Sequence, residues 1–193
     1  MKSVGLALGG GGVRGVAHIA YIKALEDLGI RPSVIAGTSS GAIAGALYAG
    51  GLAPEEMLAR IEALINSFRK PKIRPLLRDR QMGWAAAAAW NSLKGLLPKE
   101  RFEELDIPLK VIATNFHTLK ERVFESGELL PAMMASVALP GVFGPQVADG
   151  EYYVDGGATN IVPFDVIRDA CDVLIAIDVS LVRPFPNMAP TRR

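Results

Sequence analysis

A three-layer α/β fold, with a mostly parallel central sheet between helices, is predicted by three observations. Short apolar runs rich in branched residues, from Val34 to Ala36, Leu109 to Thr114 and Val173 to Val179, are separated by segments of helical spacing. Those runs do not alternate apolar with polar, as befits strands covered on both faces. Glycines stand where the first two strands would turn into helices.

Each element follows in order. Val4 to Leu8 is a strand running into Gly9, which explains an apolar start better than a secretion signal does. Val16 to Leu28 is a helix with Ile19, Ile22, Ala24 and Leu25 on one face, closed by Gly29. Val34 to Ala36 is the second strand, and Ala42 to Tyr48 a helix of small residues. A third helix begins at Pro54, with proline at its first turn, and reaches about Phe68. The stretch 69–75 is basic and broken by proline, hence a loop. Met82 to Leu97 reads as a helix with little polar face, carrying Trp84 and Trp90; it is either core or a flap resting on a membrane surface. Leu109 to Thr114 is a strand. Residues 145–148 and 151–154 pair across an Asp149-Gly150 turn, and Val173 to Val179 is the last strand. The whole chain, 1–193, reads as a single domain, with 183–193 an irregular proline-rich tail.

Composition excludes several classes of function. Twenty-one basic and 20 acidic residues leave a net charge of +1, so no overall field draws the chain to nucleic acid. A lone cysteine, Cys171, forms no internal disulfide and reads as a packing residue. With two histidines and one cysteine, a metal site built on those residues is not expected. No stretch reads as a membrane span. The expectation is a cytoplasmic protein whose contact with a membrane, if it makes one, is peripheral.

The chemistry concentrates in three places. Gly37-Thr38-Ser39-Ser40-Gly41 follows a strand and opens a helix, the setting in which a tight turn exposes Ser39 as a nucleophile. Gly37 and Gly41 are the side-chain-free positions such a turn needs. Gly10-Gly11-Gly12-Val13-Arg14-Gly15 joins the first strand to the first helix. It satisfies the dinucleotide-binding pattern literally, but Gly37-Thr38-Ser39 occupies the place of the acidic residue that would hold a ribose. The other use of such a loop is as an oxyanion hole, with backbone N–H groups aimed at one anionic oxygen. Neither His18 nor His117 has a recognisable catalytic setting. The carboxylate of Asp155, followed by Gly156 and Gly157, is the candidate base; the alternative for that stretch is a plain turn. Ser40→Ala and His117→Ala are expected to be mild.

Taken together, these three motifs in this order resemble the patatin-like phospholipase family, as do Ala135-Ser136-Val137-Ala138-Leu139-Pro140-Gly141-Val142-Phe143-Gly144-Pro145 and Asn160-Ile161-Val162-Pro163. The resemblance runs from Val4 to about Val179 and is closest to bacterial members and the neuropathy-target-esterase type. It implies a Ser39–Asp155 dyad and an oxyanion hole from the N–H groups of Gly10, Gly11 and Gly12, with Arg14 bracing that loop. It implies hydrolysis of a phospholipid, lysophospholipid or other fatty-acyl ester without metal or cofactor. Transfer of the acyl group to another alcohol, or a silent lipid-binding protein on the same fold, are the alternatives. Two departures stand out: the stretch between Phe68 and Phe102 is shorter than is usual in the family, and family domains often continue past the last strand. Both parts help shape an acyl pocket, so chain-length preference stays open.

Overall fold

The computed structural model describes residues 2–69 and 91–180. Their centre is a seven-stranded sheet formed by β1 (Val4–Leu8), β2 (Val34–Thr38), β3 (Leu109–Asn115), β4 (Glu121–Phe124), β5 (Gln146–Ala148), β6 (Glu151–Asp155) and β7 (Val173–Ile177). Hydrogen bonding connects them as β5-β6-β3-β2-β1-β7, with β4 also on β3. β7, β1, β2 and β3 are parallel neighbours, whereas β4 and β6 run antiparallel to β3, and β5 antiparallel to β6. Most strands therefore point one way.

The helices are α1 (Ala17–Asp27), α2 (Ser40–Ala49), α3 (Pro54–Arg69) and α4 (Leu129–Ser136). α2 is almost wholly buried because its small residues let it lie flat on the sheet. A Cβ on Gly45 would already stand 3.1 Å from Ile35 and from Leu109. Leu6, Leu8, Ile35, Leu47, Met57, Val111 and Met133 form the main core between sheet and helices, each buried side chain of this size stabilising by about 1.5–3 kcal/mol. The opposite face buries Ala7, Val34 and Ala36 against Ile167 of the 3₁₀ segment Asp165–Ala170.

The expected α/β architecture is present, with local differences. β2 runs on to Thr38, so it delivers Ser39 directly from a strand end. Gly12–Val16 is a 3₁₀ turn, not the start of α1, because a glycine-rich loop must bend before the helix begins. Arg69 closes α3 instead of opening a loop. β4 and α4 went unforeseen: β4 is short and carries Glu121 and Arg122, and α4 has Pro131 in its first turn, where proline costs no helical hydrogen bond. The turn at Asp149-Gly150 has both residues at positive φ, 49° and 78°, as a tight hairpin requires. Of the expected apolar helix, residues 91–96 are helical, with Leu93 and Leu96 buried in the core. Trp84, Trp90, most of the basic stretch 69–75 and the tail 183–193 lie outside the described residues. No described helix is long and apolar enough to cross a membrane.

Candidate active site

The sheet itself assembles the candidate dyad. Ile112 of β3 pairs with Thr38 and Val123, and its neighbour Ala113 pairs with Arg122 and Asp155. A strand has only two edges, so with β4 on one, β2 and β6 share the other and meet end to end. Thr38 and Asp155 stand beside consecutive residues of β3, and Ser39 follows Thr38 into the junction. A Cβ on Gly156 would overlap the carbonyl of Ile112, so the chain leaving β6 needs glycine there.

Ser39 sits at φ 54° and ψ −120°, a backbone conformation that costs a residue with a side chain about 1–3 kcal/mol. The close approach of Gly41 to the carbonyl of Leu8 leaves no room for a Cβ and forces the sharp turn into α2. The backbone N–H of Ser39 donates to Ser136 Oγ at 2.9 Å, from the last residue of α4. Its side-chain hydroxyl donates to Asp155 Oδ2 at 2.6 Å. The other carboxylate oxygen, Oδ1, accepts the N–H of Gly157 at 2.8 Å, and the Asp155 backbone is tied to Ala138 and Thr114. Asp155 is 5% exposed. Burial pushes its carboxyl above the ordinary carboxylate range, against the opposing effect of the Ser39 and Gly157 hydrogen bonds. A carboxylate so placed is a better proton acceptor than one in water.

Neither histidine joins them. His18 is buried and bonds the carbonyl of Gly9 through Nε2 at 2.7 Å; burial also lowers its pKa, so the ring is neutral at pH 7. His117 is exposed at the β3–β4 turn, edge-on to Phe116 and Tyr152.

The glycine loop leaves β1 at the same edge of the sheet. The N–H of Gly10, one of the expected oxyanion donors, donates to the carbonyl of Ile161 at 2.8 Å. Gly10 lies beside the nucleophile: a Cβ there would stand 3.4 Å from that of Ser39, an ordinary contact distance. The N–H of Gly11 donates to Ser40 Oγ at 3.0 Å, and Gly12, at φ 59°, has an N–H with no partner among the described residues. Arg14 Nε donates to the carbonyl of Val179 at 2.9 Å, tying the loop to the chain beyond β7. Ser39, Asp155 and Gly10–Gly12 line one cavity of about 590 Å³ with Ile43, Val137, Leu139, Pro140, Phe143 and Ile161. Its wall is mostly apolar, with polar groups at the dyad, Ser40 and the glycine backbone. Ser136 and Ile161 fall within blocks that carry the family resemblance, but nothing in the sequence marks them or Val179 as supports, because each acts through one backbone or hydroxyl contact made across the fold. A second hollow, of about 500 Å³, lies at the far ends of α1 and α2 and offers no serine, cysteine or histidine. Among the described residues no three metal-ligating side chains gather.

Residues 6–168 match the family model described as patatin-like phospholipase. A patatin-like phospholipase domain-containing protein of Caenorhabditis elegans is 35% identical over 185 residues, covering 89% of this chain and 14% of its own length. An uncharacterized NTE family protein of Mycobacterium tuberculosis is 32% identical over 184 residues, covering 92% of this chain and 49% of its own. Lysophospholipase NTE1 of Kluyveromyces lactis is 30% identical, covering 94% and 13%. The chain thus spans about half or less of the length of these relatives. Among solved structures, VipD from Legionella pneumophila superposes with a TM-score of 0.54 at 15% identity, over 81% of this chain and 46% of that one, a likeness of fold.

Proposed function

Because this chain belongs to the patatin-like phospholipase family, we propose that it hydrolyses a fatty-acyl ester of a phospholipid or lysophospholipid through Ser39 and Asp155. The observation that carries this reading is the 2.6 Å hydrogen bond from a strained serine to a buried carboxylate. Asp155 accepts the Ser39 proton as Oγ attacks the ester carbonyl, and the charge that develops on the carbonyl oxygen is met by the N–H groups of Gly11 and Gly12 and the N-terminus of α2. Protonated Asp155 returns the proton to the leaving alcohol, giving an acyl-enzyme on Ser39. Water, deprotonated by Asp155, then attacks that ester, and the fatty acid leaves with Ser39 restored. The apolar side chains Ile43, Val137, Leu139 and Phe143 suit an acyl chain in the cavity.

A soluble fold reaches such a substrate at a lipid surface. Leu139 and Ile161 line the cavity and are exposed, Val142 and Phe164 are exposed in the same two stretches, and neither the stretch between Glu128 and Asp149 nor 156–164 contains a charged residue. Peripheral docking of this rim on a bilayer belongs to the same reading. The test is fluorophosphonate labelling with mapping of the modified residue, together with fatty-acid release from a lysophospholipid. Label on Ser39 and release abolished in Ser39→Ala are expected; label elsewhere, or none with no release, refutes the reading.

A further inference from the structure

We propose that Ser40 positions the oxyanion loop, its hydroxyl occupying the oxyanion's role toward Gly11 until substrate arrives. This rests on the hydrolase reading above. The start of the loop is fixed without Ser40: Gly9 N–H donates to the Ile177 carbonyl at 2.9 Å, the Gly9 carbonyl is held by His18, and Gly10 N–H is held by Ile161. The next peptide, whose N–H belongs to Gly11, is held by Ser40 Oγ at 3.0 Å. Gly12 N–H, one residue further, is held by nothing described. Of the two N–H groups that an oxyanion would use, one is therefore aimed in advance by a side chain.

Ser40 is built for that contact. It is the first residue of α2, yet its hydroxyl reaches a partner 29 residues earlier in the chain. A Cβ on Gly15 would come within 2.5 Å of Ser40 Oγ, so Gly15 leaves just enough room for the serine to lean toward the loop. On the loop's other side a Cβ on Gly11 would meet Val179 Cγ2 at 2.7 Å and its carbonyl at 2.9 Å, and that carbonyl is the one Arg14 grips. Gly11 is thus confined between Ser40 and Val179. Ser40 itself lines the cavity beside Ser39. A hydroxyl oxygen is a neutral acceptor, and an N–H moves from it to an anion because charge-assisted hydrogen bonds are roughly twice as strong. The Gly11 N–H is aligned beforehand and released only when negative charge develops, the condition for raising kcat without tightening substrate binding. Such a role departs from the expectation from sequence that Ser40→Ala is mild.

The test uses Ser40→Ala and Ser40→Gly, neither of which adds bulk. Both are assayed on p-nitrophenyl butyrate and inhibited with an alkyl trifluoromethyl ketone, whose adduct mimics the tetrahedral oxyanion; rates are normalised to sites titrated with fluorophosphonate. Losing the aim of one donor should cost less than losing the donor, so kcat should fall about tenfold, with KM within about twofold. Ketone affinity should weaken in parallel with kcat. Unchanged kcat and ketone affinity per titrated site overturn the proposal, as does a loss confined to KM or to thermal stability. Failure of the unmodified protein to hydrolyse any ester or take the label would instead overturn the hydrolase reading, a result visible before any variant is made.

Discussion

At the residue scale, Ser39 and Asp155 each hold a conformation or charge that the fold would be more stable without. Substituting either should lower kcat by on the order of a thousandfold or more, and the double variant should be little worse, since neither residue acts alone. Equal damage from His117→Ala would refute the pairing. The strain at Ser39 reverses a familiar order: Gly normally stabilises less than Ala, but at φ 54° only Gly is unstrained. Thermal unfolding should therefore find Ser39→Gly at least as stable as Ser39→Ala. For Asp155 the folded pKa is raised above the unfolded value near 3.8. The folded state then holds this proton more tightly, so stability is greatest below the unfolded pKa and is lost as pH rises through the folded one. Asp155→Asn should match or exceed the unmodified protein in Tm at pH 7, and that advantage should vanish in acid. The acid limb of kcat/KM should lie above the ordinary aspartate range, because only the ionised carboxylate accepts the proton. A limb at or below 3.8 would contradict burial as the controlling influence.

At the element scale, α2 and α4 meet at the nucleophile. α2 begins at the residue after Ser39, and the last residue of α4, Ser136, accepts its backbone N–H. Ser136 is fully buried, so Ser136→Ala leaves a donor without a partner and should cost about 1–3 kcal/mol of stability. It should also lower kcat, since the turn loses the contact that fixes its N–H, while Ser136→Thr, which keeps the oxygen, should retain more of both. Denaturant unfolding and turnover on one soluble ester measure the two effects; a stable, fully active Ser136→Ala would remove α4 from the site. The turn's other constraint is spatial. Gly41→Ala should fail to fold, because the carbonyl of Leu8 occupies the space its methyl would need.

At the scale of the whole molecule, the uncharged stretches that supply Leu139, Pro140, Phe143 and Ile161 to the cavity also expose apolar side chains. Val142 is 51% and Phe164 42% exposed. Neither lines the cavity, so Val142→Asp and Phe164→Asp should weaken binding to phosphatidylcholine vesicles and hydrolysis of vesicular lipid several-fold. Hydrolysis of p-nitrophenyl butyrate should be unchanged. Parallel losses on both substrates would mean that the rim belongs to the catalytic apparatus and not to a docking surface.

By itself the sequence determined the alternating elements, the strand-to-helix turn at Ser39 and the glycine loop after β1. These depend on local patterns: apolar runs for strands, small residues for a helix lying flat on a sheet, and glycine where a turn leaves no space. Its composition also left no histidine with a local catalytic setting. Family motifs pointed to Asp155, but no spacing rule places a residue 116 positions away within 2.6 Å of Ser39. That required β2 and β6 to meet end to end on one edge of β3, a consequence of the antiparallel return of the chain after α4. Tertiary structure alone likewise decided that Gly10 turns its N–H to Ile161, that Ser40 reaches Gly11, and that burial raises the Asp155 pKa. Hydrogen-bond partners and desolvation depend on which distant segments exclude water from a group, and a one-dimensional pattern carries no record of that.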